Sequence, residues 1–304
     1  MLNNAGRADP YVEAMRQTIQ PGDIVLDIGA GPGLFSMLAA RMGASKVIAV
    51  EPNPSIRLAK RLIEQNGFSD RIVCIEGVST EIELEKPADV IISDLRGVLP
   101  LFSQHLPSII DARNRLLAPG GRLIPRQDVL VAAPVTHPDE YRRVTQPWRE
   151  NNHGLDLRAG ADFESNRWTK VNLPSNSLLA PGKQWCTLEY ETLTNFDAHG
   201  HLQWEIERPG RMHGIASWFD AELIPGVGFS NHPDGPPLIY GQAFFPLPAE
   251  TSVNSGDIVT SEIQAHWIGH EYVWQWKGEI RSAEGAQILK FDQSTFARRL
   301  LMKK

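Results

Sequence analysis

The hydrophobic pattern changes character once along the chain, near Pro125. Before that point, short apolar runs, "DIVLDIG", "KVIAVE", "RIVCIEG" and "DVIISD", each end on a polar or glycine-rich turn. Between them, residues 34–42, 55–66 and 106–117 carry apolar positions at helical spacing, with Gly43 and Gly67 where C-terminal caps belong. Alternation of this kind predicts a parallel sheet with helices on its faces. After "LAPGGRLIP", runs such as "QWCTLEYETL", "HGIASWFDAEL", "QAFFPL" and "DIVTSEIQAHW" predict antiparallel strands with one buried face. The expected division is therefore 1–125 and 126–304. The amphipathic, helix-compatible stretch "DEYRRVTQPWRENNHGLDLRAG" interrupts the second part as a projecting arm, and "WIGHEYVWQW", Trp267 to Trp276, reads as one aromatic strand.

Composition narrows the function classes. The chain has 304 residues, enough for two ordinary domains, and its 30 Lys+Arg against 36 Asp+Glu give a formal net charge of −6. That balance argues against a nucleic-acid partner held by phosphate neutralisation. Two cysteines, Cys74 and Cys186, make neither a disulfide framework nor a thiolate metal site. The polar start "MLNNAGRADPYVEAM" lacks the apolar core of a signal peptide, and no run approaches a membrane span, so a cytoplasmic protein without a membrane partner is expected.

Candidate chemistry begins at "VLDIGAGPG". Gly29, Gly31 and Gly33 follow a strand and open a helix, so backbone can approach a ligand without side chains in the way. The G-x-G-x-G spacing departs from the G-x-G-x-x-G of dinucleotide binders and suits S-adenosyl-L-methionine, which has no pyrophosphate to place on the helix N-terminus. Asp27, and Glu51 at the end of the next strand, complete a nucleoside site in which Glu51 accepts from the ribose hydroxyls. An acidic residue there also serves NAD, so an NAD-dependent oxidoreductase stays an alternative that only the glycine spacing opposes.

These residues, "VLDIGAGPGLFSMLAARMGASKVIAVE" in particular, strongly resemble the cofactor-binding segment of the protein arginine methyltransferases. "ML", Arg7, Tyr11 and Met15 are similar to the family's helix before the first strand, and "HGIASWFDAEL", "GFSNHPDGPPLIYGQAFFPL" and "SGDIVTSEI" to its barrel strands. The resemblance implies a Rossmann-like methyltransferase domain, a mostly antiparallel β-barrel packed against it, and a homodimer formed through an arm within about 138–160. It places Arg7 on the cofactor carboxylate and Ser79 and Thr80 at the adenine, where a glutamate is usual in the family. The family's helices before "ML" have no counterpart, which leaves a truncated chain and a more open pocket both possible.

The acceptor loop, "ISDLRGVLPLFSQ", departs from the family. Two glutamates there clamp the substrate guanidinium, because paired carboxylates match a planar cation and aim its lone pair. This chain has Asp94 at the first position and Ser103 at the second, with Arg96 added, a charge that would repel a guanidinium and welcome a carboxylate or phosphate. The family's aspartate–histidine pair is replaced by Asn4 and Ile239, with Tyr240 in the place of a tryptophan. His105 is the nearest group that titrates near neutral pH, a candidate base or a structural histidine. The expected activity is methyl transfer from S-adenosyl-L-methionine to a nitrogen on a protein side chain, with no metal. A small-molecule acceptor on the same scaffold, or a protein that binds the cofactor without converting it, are the alternatives.

Overall fold

The structure, a computed structural model, describes residues 4–150, 153–174 and 176–296. Met1 and Leu2, part of the resemblance above, and residues 151 and 152 of the expected arm lie outside them. The first unit runs α1 (Ala5–Thr18), β1 (Ile24–Ile28), α2 (Leu34–Arg41), β2 (Lys46–Glu51), α3 (Ser55–Gln65), β3 (Ile72–Glu76), β4 (Ala88–Ser93), α4 (His105–Arg115) and β5 (Leu117–Ile124). Its sheet is parallel in the order β3-β2-β1-β4-β5. Both faces of β1 are covered, which is why "IVLDI" is apolar throughout except at Asp27. Strand order reverses between β1 and β4, and the crevice beyond the carboxyl ends of strands at such a point is where open α/β sheets bind ligands. Asp27 lies opposite Ile92, and Ile28 opposite Ser93, so the glycine loop and Asp94 leave the sheet side by side.

The helix expected over 106–117 begins at His105 and ends at Arg115, and Leu117 instead starts a strand that pairs with Ala88. Pro119 cannot continue a helix, and Gly120, with a φ of 76°, lies within β5 where its pairing with β4 shifts register.

The second unit comprises β6 (Gln127–Val135), α5 (Pro138–Thr145), α6 (Arg158–Glu164), β7 (Thr169–Val171), β8 (Lys183–Glu189), β9 (Ala198–Glu205), β10 (Gly210–Ile224), β11 (Val227–Ser230), β12 (Gln242–Val253), β13 (Ile258–Ile268), β14 (Glu271–Arg281) and β15 (Gln287–Ser294). Its ladders form two antiparallel sheets, β7-β12-β10-β6-β8 with β11 on β10, and β15-β14-β13-β9. The two sheets adjoin at β8 with β9 and at β12 with β15, so the unit is barrel-like while the hydrogen-bonded ladders stay in two pieces. Trp204, Trp218, Trp276 and Phe245 are buried within it, and the Trp276 indole donates to the Pro246 carbonyl at 3.0 Å.

Residues 267–276 are not a single strand: Trp267 pairs with Tyr272 across a tight turn between β13 and β14. Gly269, with a φ of 72°, supplies the left-handed residue that the turn needs. Helix α5 lies within the arm expected at about 138–160, α6 starts inside it and runs past it to Glu164, and the two pack on each other. Helix α1 lies against β10, β11 and β5, so it joins the two units. No helix among the described residues is long and apolar enough to cross a membrane.

Candidate active site

The glycine loop adopts the conformation that its composition calls for. Gly29, Gly31 and Gly33 have φ values of 74°, 53° and 81°, the left-handed region that other residues enter at a cost. A Cβ on Gly31 would meet nothing within 4 Å, so this position faces open space. One on Gly29 would strike Leu95 of the acceptor loop at 2.4 Å, which shows how closely that loop covers the glycines. Glu51, 6% exposed, accepts hydrogen bonds from the Gly31 amide (3.0 Å) and from the amide and side chain of Asn53 (2.8 and 2.6 Å). Its carboxylate is thus held at the loop's edge by short-range geometry.

Beside them opens a cavity of about 380 Å³ whose walls include Gly29, Val50, Ser79, Phe102, Ser103 and His105. Ser79 is buried and its hydroxyl has no partner among the described residues, an unspent polar group that a ligand can satisfy. Thr80, its companion in the sequence reading, is exposed and does not line the cavity. Ser103, in the place of the second glutamate, lines the cavity with a φ of 42°, uncommon for a residue with a side chain.

Asp27 is buried at the carboxyl end of β1, where the Ser36 hydroxyl donates to it at 2.6 Å. Burial dominates and pushes its carboxyl up to about 6. The folded state therefore holds this proton more tightly than the unfolded chain. The resulting stabilisation is complete below the unfolded value of about 3.9 and is lost as pH rises through about 6, a cost on the order of 3 kcal/mol. Asp27→Asn is accordingly expected to raise the urea midpoint above the wild type at pH 8 and to match it near pH 4; a pH-independent difference would contradict this.

Arg7, Asp94 and Arg96 lie in one buried network, and not as the sequence suggested. The Asp94 side chain is only 4% exposed. It accepts from the Arg7 Nε, from the Tyr240 hydroxyl at 2.8–2.9 Å and from Arg96 at 3.3 Å. Arg7, expected on the cofactor carboxylate, is thus paired with Asp94, its guanidinium 5.4 Å from the Phe35 ring centre. A ligand carboxylate would have to share it. Arg96 is the clear correction. Its side chain does not face an acceptor: it is fully buried, forks onto Asp128 at 2.7 and 2.8 Å, and donates to the Tyr11 hydroxyl at 2.6 Å. The charge ties the acceptor loop to β6, because a buried guanidinium requires a carboxylate within reach.

Sequence reasoning missed Asp128 and Tyr190. The Tyr190 hydroxyl donates to Asp128 and pairs with His105 Nε2 at 3.0 Å. An aspartate inside the otherwise apolar strand "QDVLVAAPV" was the available signal. Replacement of the family's aspartate–histidine pair leaves Asn4 with a buried side-chain oxygen that has no partner, and Ile239 partly buried against the core. Among the described residues, no cluster of His, Cys, Asp and Glu has metal-site geometry.

Two family models match consecutive parts of the chain: ribosomal protein L11 methyltransferase over residues 11–126, and the arginine methyltransferase oligomerization subdomain over residues 129–271. The probable protein arginine N-methyltransferase 6 of Arabidopsis thaliana is 32% identical over 235 residues, 73% of this chain and 53% of the relative. The chain belongs to the protein arginine methyltransferase-like family. Protein arginine N-methyltransferase 1 of Saccharomyces cerevisiae is 27% identical over 274 residues, covering 86% of this chain and 78% of that protein. The fold matches the Trypanosoma brucei PRMT1 enzyme-prozyme heterotetrameric complex with AdoHcy, at a TM-score of 0.87 and 24% identity over 97% of this chain and 95% of the other. It also matches Arabidopsis thaliana protein arginine methyltransferase 10, at 0.84 and 21% identity, with the same coverage. The chain spans about half the length of several of the curated relatives it matches, 53% and 59% for two of them.

Proposed function

We propose that the chain is an S-adenosyl-L-methionine-dependent methyltransferase whose acceptor is a nitrogen on a protein side chain. The observation that carries this reading is the cleft at the β1/β4 switch point: a glycine cradle open at Gly31, the Glu51 carboxylate at its edge, and the unpartnered Ser79 hydroxyl in the cavity wall. The residues fit the cofactor, with Glu51 toward the ribose, Ser79 toward the adenine and Arg7 toward the amino-acid end. When bound, it supplies a methyl group on a sulfonium, an electrophile that a positioned lone pair can displace without a metal. The protein's part is to align the acceptor and exclude water. The loop 95–104 over Gly29, tied down through Arg96 and Asp128, is the element placed to do so.

The experiment is an equilibrium titration with S-adenosylhomocysteine and, separately, with NAD. Saturable binding of the first alone supports the reading; binding of NAD alone replaces it with the dinucleotide alternative. Glu51→Ala is expected to weaken S-adenosylhomocysteine binding roughly 10- to 150-fold, the worth of about 1.5–3 kcal/mol for hydrogen bonds to a charged group.

One observation favours a second reading, a protein that binds the cofactor without converting it. Asp94 is closed in by Arg7, Tyr240 and Arg96, and Ser103 adds no carboxylate, so the double-carboxylate clamp for a guanidinium is absent. Binding without any S-adenosylhomocysteine production would favour it. We further infer a homodimer through α5 and α6 and a cytoplasmic site of action. The match to an oligomerization subdomain supports the first. Sedimentation as a monomer at high concentration would contradict it.

A further inference from the structure

We propose that His105 is the acceptor-facing catalytic residue of this site: its Nδ1 lone pair receives the hydrogen of the bound acceptor nitrogen and takes that proton as the methyl group is transferred. The inference rests on the methyltransferase reading and adds a group that neither the resemblance nor the comparisons assign. Three observations lead to it. His105 opens α4 directly after Ser103 and Gln104, lines the same cavity as Gly29 and Ser103, and is 1% exposed. Its two ring nitrogens are not equivalent, since Nε2 lies 3.0 Å from the Tyr190 hydroxyl and Nδ1 is buried with no partner among the described residues.

The third observation fixes the tautomer. The Tyr190 hydroxyl donates its only proton to Asp128, so toward His105 the tyrosine oxygen is an acceptor. Nε2 must then carry the imidazole proton, and Nδ1 is left as a bare lone pair. Asp128 is itself fixed by the fork of Arg96, and the Tyr190 ring stands nearly perpendicular to the imidazole with centres 5.6 Å apart. Asp128, Tyr190 and His105 therefore form a chain in which the first two are positioning residues. A buried nitrogen with no partner is costly to keep, and the cavity is where a partner can arrive.

The chemistry balances without a further reagent. As the acceptor nitrogen bonds to the methyl carbon, its N–H bond breaks and an Nδ1–H bond forms; the imidazolium returns the proton to solvent when the product leaves. Burial first, and the Arg96 charge second, hold His105 well below the usual imidazole range, so the free ring is neutral and ready to accept. Such a ring is a weak base. It suits an acceptor that is uncharged when bound, carries a hydrogen on the attacking nitrogen and becomes strongly acidic there on methylation, such as a carboxamide. A guanidinium, which arrives charged and finds Asp94 already paired and Ser103 in place of a second carboxylate, is poorly matched.

Two measurements on the full chain test this. Proton–nitrogen correlation spectra of protein labelled with 15N-histidine report the tautomer directly. The wild type is expected to show His105 protonated at Nε2 and bare at Nδ1, with averaging between tautomers in Tyr190→Phe; a proton resident on Nδ1 in the wild type overturns the proposal. Transfer of radiolabelled methyl into a host-cell extract is the second. His105→Ala is expected to slow transfer about 100-fold at saturating S-adenosyl-L-methionine, and an equal transfer rate overturns the proposal. Should the wild type bind the cofactor and label nothing, the methyltransferase reading falls and takes this inference with it. That failure is distinct, because wild type and variant are then equally silent while the tautomer is still read.

Discussion

Replacing Asp128 with alanine is expected to lower the unfolding free energy by about 3–5 kcal/mol, the cost of leaving a buried cation without its partner. Arg96 has no exposed side-chain surface and lies 5.6 and 5.7 Å from the ring centres of Phe219 and Phe229. With Asp128 gone, only the Tyr11 hydroxyl and the longer contact to Asp94 remain to it among the described residues. The control is Asp139→Ala, which removes the exposed partner of Arg142 on α5 and should cost about 0–1 kcal/mol. Urea denaturation of the two variants in parallel checks both values. Similar midpoints would mean that water reaches Arg96 and that the acceptor loop is not anchored as described. Because the same pair fixes Tyr190, Asp128→Ala should also release the His105 tautomer.

Gly31→Val is expected to remove most cofactor binding while sparing the fold. A left-handed residue with a Cβ costs about 1–2 kcal/mol of stability, and no other atom lies within 4 Å of the added carbon in the free chain. The side chain instead fills the space kept for the ligand. Overpacking there costs about 1–3 kcal/mol or more, up to roughly 150-fold in affinity for S-adenosylhomocysteine. Gly226→Val provides the comparison: it has a φ of 79° and equally open surroundings, but sits in the turn between β10 and β11, away from the cleft. It should lose stability without losing binding. Equal losses of binding in the two variants would show that backbone strain, and not occupation of the cleft, is responsible.

How far the sequence could be read depended on the range of the physics behind each feature. The parallel sheet was legible because burial on both faces of β1, β2 and β4 leaves nearly continuous apolar runs, and because Gly29, Gly31 and Gly33 mark a turn that other residues adopt only at a cost. Strand β5 was not, since "LAPGG" hides its alternation behind turn residues. The hairpin at Gly269 was submerged in the aromatic run on either side of it. Arg96 shows the deeper limit. On a loop next to a candidate acceptor site, an arginine reads as a ligand contact. Its fate was decided by Asp128, 32 residues later, and by Tyr11, 85 residues earlier, pairings that no local pattern reveals. Glu51, by contrast, takes its orientation from Gly31 and from Asn53 two residues on, so its place at the edge of the glycine loop was legible from the sequence.

Methyl transfer by this cleft is tested most directly by incubating the protein and radiolabelled S-adenosyl-L-methionine with a host-cell extract, then separating protein and small-molecule fractions. Label is expected in the protein fraction, recovered after hydrolysis on a nitrogen-bearing side chain, with S-adenosylhomocysteine formed in step and both lost in Gly31→Val. Saturable cofactor binding with no label in any fraction and no S-adenosylhomocysteine would contradict methyl transfer and leave a protein that holds the cofactor without spending it.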